Sequence, residues 1–230
     1  MKISGNPELK KRIIMTVAGV VVSGIAVGLF GKSGAGFDPF QVFSHGGWMV
    51  TEKFIPDISF GTFYTALNLI MLAVIFFTNR RKIGLGTVIN IFLVGYLADI
   101  SEGLLDRILP EPTLLIRGCL LIVAVITLCF ASSVYFVADM GVSTYDAVAL
   151  TVNEKTGIPF RWCRIASDLI CVILGFLAGA PVGIGTVITA FFMGPLVDFF
   201  SDRVAKPMRY GRNVETPKES KNINQTKVTN

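Results

Sequence analysis

Long stretches without Asp, Glu, Lys or Arg dictate what this chain can fold into: residues 13–31, 58–79, 83–98, 118–138 and 169–197 carry no charge. A hydrocarbon layer about 30 Å thick asks a helix for roughly 17–25 apolar residues, and these stretches meet or approach that length. The last is interrupted by Gly179-Ala180-Pro181, so it holds the end of one span and all of the next. The sequence therefore predicts six spans, at 12–31, 59–78, 84–101, 114–138, 160–179 and 183–201. They are helical because an open backbone leaves polar groups unpaired in lipid. With 52% hydrophobic residues in 230, no soluble domain remains. The expectation is an all-α, multi-pass membrane protein whose first partner is the lipid bilayer.

The formal charge of +5 does not signal nucleic acid, because the basic residues cluster at span ends and in the tail. Lys2, Lys10, Lys11 and Arg12 lead into the first span, and Arg80, Arg81 and Lys82 fill the link between the second and third. Arg203, Lys206, Arg209 and Arg212 follow the sixth. Positive residues favour the cytoplasmic side, which puts both termini there, provided that residues 32–58 do not cross. The external links are acidic or neutral: Glu102, Asp106, Arg107 and Glu111 flank one, and Gly179 to Gly183 is uncharged. The first span reads as retained, since it is longer than a signal-peptide core and lacks a cleavage site. The chain divides into a cytoplasmic N-terminus (1–11), two membrane repeats (12–105 and 113–205) and a polar cytoplasmic tail (206–230) of disordered composition. Cys119, Cys129, Cys163 and Cys171 lie in apolar runs without a C-x-x-C pair, so buried thiols are expected, with no disulfide framework and no zinc.

Residues 84–99, GLGTVINIFLVGYLAD, lie against residues 183–198, GIGTVITAFFMGPLVD, with nine of sixteen positions identical at an offset of 99. Apolar composition makes Val and Ile recur, but it does not set three Gly, a Thr and a terminal Asp in one register. Further back, Gly36-Phe37-Asp38-Pro39-Phe40 corresponds to Thr144-Tyr145-Asp146-Ala147-Val148, and Asn68 to Asp168. Each half reads as a span, a short Asp-bearing helix, a span, a turn and a G-x-G-T span. Three crossings per half is odd, so the second repeat is inverted relative to the first. Inverted repeats recur among secondary transporters, with the site at the repeat interface.

Candidate binding residues follow from cost. Asp168 is a carboxylate inside an apolar span, where ionisable groups are expensive and suspect. Arg164 stands one turn before it, with Arg161 nearer the span end. Either the pair neutralises itself at i, i+4, or it faces a cavity where Arg grips an anionic group and Asp exchanges a proton. Asn68, the counterpart of Asp168, cannot titrate. Asp38 before Pro39 reads as a helix N-cap, and Asp146 is expected to cap its counterpart. These segments, 38–50 and 141–156, are too short to span, and are either re-entrant or interfacial. Gly84, Gly86 and Thr87, with Gly183, Gly185 and Thr186, open helices whose N–H groups either hold an anion or permit close packing. His45, the sole histidine, is placed in an external connection without metal-ligating partners. A phosphate-loop pattern, a nucleophile–base pair and a metal cluster are all lacking, so neither an enzyme, a cofactor nor a metal is expected.

The paired G-x-G-T spans with Gly95, Asp99, Gly194 and Asp198, together with the Arg164 span, resemble the YczE-type family of bacterial membrane proteins, with the YitT-type more distant. The resemblance covers about residues 12–205. The family's aromatic or basic residue before the Asp is Phe37 in one copy and Tyr145 in the other. The customary Gly-Pro before it is missing here, a departure that bears on the shape of any ligand site. The resemblance implies a bacterial inner membrane, and transport or export is the role most often proposed for the family. The expected function is thus transport of a small-molecule substrate, with Arg164 and Asp168 near a central site. The competing reading is a non-transporting partner or scaffold for a neighbouring enzyme or assembly, and a homo-oligomer is left open.

Overall fold

The computed structural model describes residues 7–79, 83–158 and 160–211. The basic link Arg80, Arg81 and Lys82, together with Lys2, Arg212 and the polar tail beyond it, lies outside the described residues. Every regular element among those residues is helical. In chain order they are α1 (Pro7–Ser33), α2 (Pro39–Glu52), α3 (Phe60–Asn79), α4 (Leu85–Ile108), α5 (Leu114–Ala138), α6 (Thr144–Thr156), α7 (Phe160–Leu177) and α8 (Ile184–Phe200). A five-residue π turn, Ser201–Ala205, carries α8 into α9 (Lys206–Tyr210), so the helical chain continues past residue 205.

Five of these helices are long and apolar enough to cross a membrane: α1, α3, α4, α5 and the continuous run Ile184–Tyr210. α7, expected as a further span, holds Arg161, Arg164 and Asp168 within its 18 residues, and this charge separates it from the other five. Large apolar side chains face outward from the bundle, among them Phe77 at 86% and Leu114 at 87% exposure. In water such a surface would aggregate. In a bilayer it meets its own kind.

α1 and α5 cross at the centre, antiparallel, with Arg12 on the carbonyl of Ala138 at 2.9 Å at one end and Arg117 near Gly34 at the other. α4 runs parallel to α1: Thr16 lies by Gly86, Gly24 by Leu97, and Lys32 pairs with Asp106 at 2.6 Å. α8 runs parallel to α5, with Leu121 at Gly185 and Phe130 against Phe200. Small residues let these backbones close up. A Cβ on Gly24 would stand 2.4 Å from that of Leu97, and one on Gly19 3.0 Å from the carbonyl oxygen of Ala131.

The two short helices fill the space between the long ones. α2 packs on α7 through Gly46 and Gly175, and α6 packs on α3 and α7. α4 packs along α3, while among the described residues α8 has no comparable contact with α7.

Three expectations change. α2 is capped by Asp38, which accepts from the N–H groups of Phe40 and Gln41, with Pro39 at the first helical position. α6, however, is capped by Ser143 and not by Asp146, which sits in the first turn instead. A hydroxyl three residues before an acid is itself a capping pattern, and it moves the register: Asp38 corresponds to Ser143 and Phe40 to Tyr145, three residues from the alignment made on Asp alone. The link into the next helix is also shorter in the second half, residues 157–159 against 53–59. Among the thiols, Cys129, Cys163 and Cys171 are buried, but Cys119 is exposed on α5. His45 lies inside α2, buried between the rings of Phe37 and Phe60 at 4.0 and 4.1 Å, and not in an external connection.

Candidate functional site

α2 and α6 bring their first turns together at the middle of the bundle, where the rings of Phe40 and Tyr145 stack at 4.8 Å. Around this stack lies a cavity of about 100 Å³ to which all eight of the helices α1 to α8, or their N-caps, contribute. Asp38, Gln41, Asn68, Asp146 and Arg164 line it beside Tyr64 and Tyr135.

Arg164 organises the charge. Its Nη1 donates to Asp146 Oδ1, and its Nε lies 3.3 Å from Asp168 Oδ1. Its guanidinium lies over the Tyr145 ring, 4.5 Å from the centroid. The Tyr145 hydroxyl donates to Asp168 Oδ1 at 2.5 Å, so ring and carboxylate fix the guanidinium plane between them. Asp146 has its other oxygen on the Ser143 hydroxyl at 2.7 Å. The i, i+4 pair expected from sequence is present, but it is one side of a larger cluster in which α6 supplies the closer partner. Asp168 stands behind Tyr145.

Asn68 is fully buried, with its amide donating to the carbonyl of Tyr64 at 2.8 Å and its oxygen accepting from Thr144 at 2.5 Å. It therefore ties α3 to α6, as Asp168 ties α7 to α6 through Tyr145. Asp38 accepts only backbone N–H groups, at 3.2 and 3.4 Å, and has no ion pair among the described residues. Two further oxygens at the cavity have no hydrogen-bond partner among the described residues: Gln41 Oε1 and the Tyr135 hydroxyl, each on a side chain 4% exposed. Sequence reasoning missed both residues. The signal for Gln41 was a lone amide in the apolar run Phe40-Gln41-Val42-Phe43; Tyr135 offered none beyond being an isolated polar tip in a span.

The G-x-G-T openings do not line the cavity. Gly86 N–H donates to the carbonyl of Met140 at 2.7 Å, and Gly185 N–H to that of Ala35 at 2.8 Å. Gly84 and Gly183 N–H groups face their own Thr87 and Thr186 hydroxyls at 3.2 and 3.4 Å. Thr87 then donates to Val142 at 2.6 Å. Each opening thus grips the segment leading into the other half's short helix. Several of the N–H groups considered for an anion are spent on this grip. It is tight: a Cβ on Gly84 would stand 2.2 Å from the Met140 oxygen, and one on Gly183 2.3 Å from that of Ala35. Gly36 and Gly141, at φ of +98° and +113°, take backbone conformations that the turn beneath the grip requires. The openings therefore set where α2 and α6 begin.

Comparison with known proteins agrees with this membrane architecture. An uncharacterized protein of Haemophilus influenzae is 28% identical over 197 residues, covering 85% of this chain and 86% of that protein. The uncharacterized membrane protein YczE of Bacillus subtilis is 23% identical over 194 residues, covering 84% of this chain and 86% of that protein. No solved structure matches. The sequence model of the family of unknown function DUF6198 matches residues 10–202. The chain is a multi-pass membrane protein that belongs to this family, and the YczE-type resemblance carried by its G-x-G-T spans holds.

Proposed function

We propose that the protein is a small-molecule transporter of the bacterial inner membrane, built as two inverted repeats in which α7 is the sixth crossing. The carrying observation is the polar cavity at the meeting of α2 and α6, lined by all eight helices and holding Asp38, Asp146 and Arg164. A cavity at the junction of two halves is where repeat-built transporters hold their cargo. The helix directions support the inversion: α1 and α4 run one way, α5 and α8 the other. The unequal packing of α3 on α4 and of α7 on α8 is consistent with halves in different states, as access from one side at a time requires.

The test compares small-molecule pools inside and outside cells carrying the wild-type protein, a deletion, or Asp168→Asn at equal expression. A compound displaced between the compartments in both defective strains names the cargo. Unchanged pools across the three strains refute transport and leave a partner or scaffold role.

A further inference from the structure

The cavity's charge and its unmet hydrogen bonds say which chemistry it would take. Three carboxylates, Asp38, Asp146 and Asp168, gather about the one guanidinium of Arg164, and no other cationic side chain lines the cavity among the described residues. Arg164 pairs with Asp146 and Asp168, which leaves Asp38 with no ion pair of its own among the described residues and three carboxylates about one guanidinium. A buried carboxylate in that position requires a cation or a proton. Gln41 stands three residues along α2 from Asp38, and its unpartnered Oε1 accepts hydrogen bonds and cannot donate them. The unmet demand beside Asp38 is therefore for a donor carrying positive charge. The Phe40, Tyr64 and Tyr145 rings stand at the same cavity, with Tyr64 edge-on to Phe40 at 6.0 Å. Aromatic faces attract an ammonium group and not a carboxylate.

Size and ligand geometry narrow the class. The cavity, about 100 Å³, is smaller than the roughly 150 Å³ that accommodates benzene. No three His, Cys, Asp or Glu side chains among the described residues converge closely enough to hold a metal ion. We infer that the site binds the protonated head of a small primary alkylamine, its N–H groups directed to Asp38 and Gln41, with Arg164 holding Asp146 and Asp168 as the fixed wall. The inference rests on the transport reading only for what happens after binding.

Isothermal titration of the full-length protein in lipid nanodiscs at neutral pH tests it, using methylammonium and ethylammonium as probes. Acetate and acetamide serve as anionic and neutral controls of similar size. Saturable binding of the alkylammonium ions, with none of acetate or acetamide, is the expected result. Gln41→Leu removes the unpartnered Oε1, and a cooperative melt of the ligand-free variant shows that it folds. Its affinity for methylammonium falls about tenfold, the scale of one hydrogen bond to a charged group. Asp38→Asn loses at least as much. Acetate binding, no binding by any probe, or full affinity in Gln41→Leu overturns the assignment. Flux of labelled methylammonium into proteoliposomes, against protein-free vesicles, separates the two readings. Binding without flux keeps the ligand class and sinks transport, whereas flux of acetate alone keeps transport and sinks the ligand class.

Discussion

Arg164 meets two carboxylates and an aromatic face at once, through Nη1, Nε and the flat of the guanidinium. Lysine carries the same charge on one compact ammonium, which cannot reach all three. Arg164→Lys should therefore fold but melt lower, by the equivalent of about 1–3 kcal/mol for a lost charged hydrogen bond. Melting in nanodiscs at wild-type temperature would refute the shared guanidinium. The sequence made Arg164 and Asp168 conspicuous because charges stand out in an apolar span. Asp146, which holds Arg164 most closely, was read as a cap because its chemistry is equally suited to both roles. The serine three residues earlier decides between them. Gln41 could not be read in the same way: what marks it is an oxygen without a partner, and partners are a property of the packed bundle.

At the scale of elements, the repeated stretch carries the same glycine into two different surroundings. Gly95 on α4 faces α3, where an added Cβ would stand 2.9 Å from Gly61 Cα, while its counterpart Gly194 on α8 has nothing within 4 Å. Gly95→Ala should therefore destabilise the fold, by about 1–3 kcal/mol for an overpacked contact. Gly194→Ala should be neutral or slightly stabilising, since alanine is the better helix former. Equal melting of the two variants would mean that α8 packs on α7 as α4 does on α3. The repeat was legible because Gly, Thr and Asp recur in register. Its unequal use was not, since the residues that break the equivalence lie on α7 and α2, far from the repeated stretch. α7 shows the same limit. The charges that give it a role at the cavity also remove it from the helices whose crossing follows from apolarity alone.

For the whole molecule, the two ends of the bundle carry different charge. At one end Arg12 and Arg209 converge on the C-terminus of α5, donating to the carbonyls of Val137, Ala138 and Asp139, where carbonyls are unpaired and the helix dipole is negative. Lys10 and Lys11 lie at the same end, as does Arg203 beyond α8. The other end holds Lys32 against Asp106, with Glu102 beside Gly31. The bias of basic residues toward the cytoplasm predicts a bundle with Arg12 and Arg209 inside and Asp106 outside. In a Cys119→Ser background the remaining thiols, Cys129, Cys163 and Cys171, are all buried. An impermeant maleimide applied to intact cells should therefore label Asp106→Cys, and should label Lys10→Cys only after permeabilisation. The reverse pattern would turn the molecule over while leaving the cavity intact. Labelling of both from outside would place the two ends of α1 on one side, contrary to a 27-residue helix spanning the layer, and the inverted arrangement would fall with it.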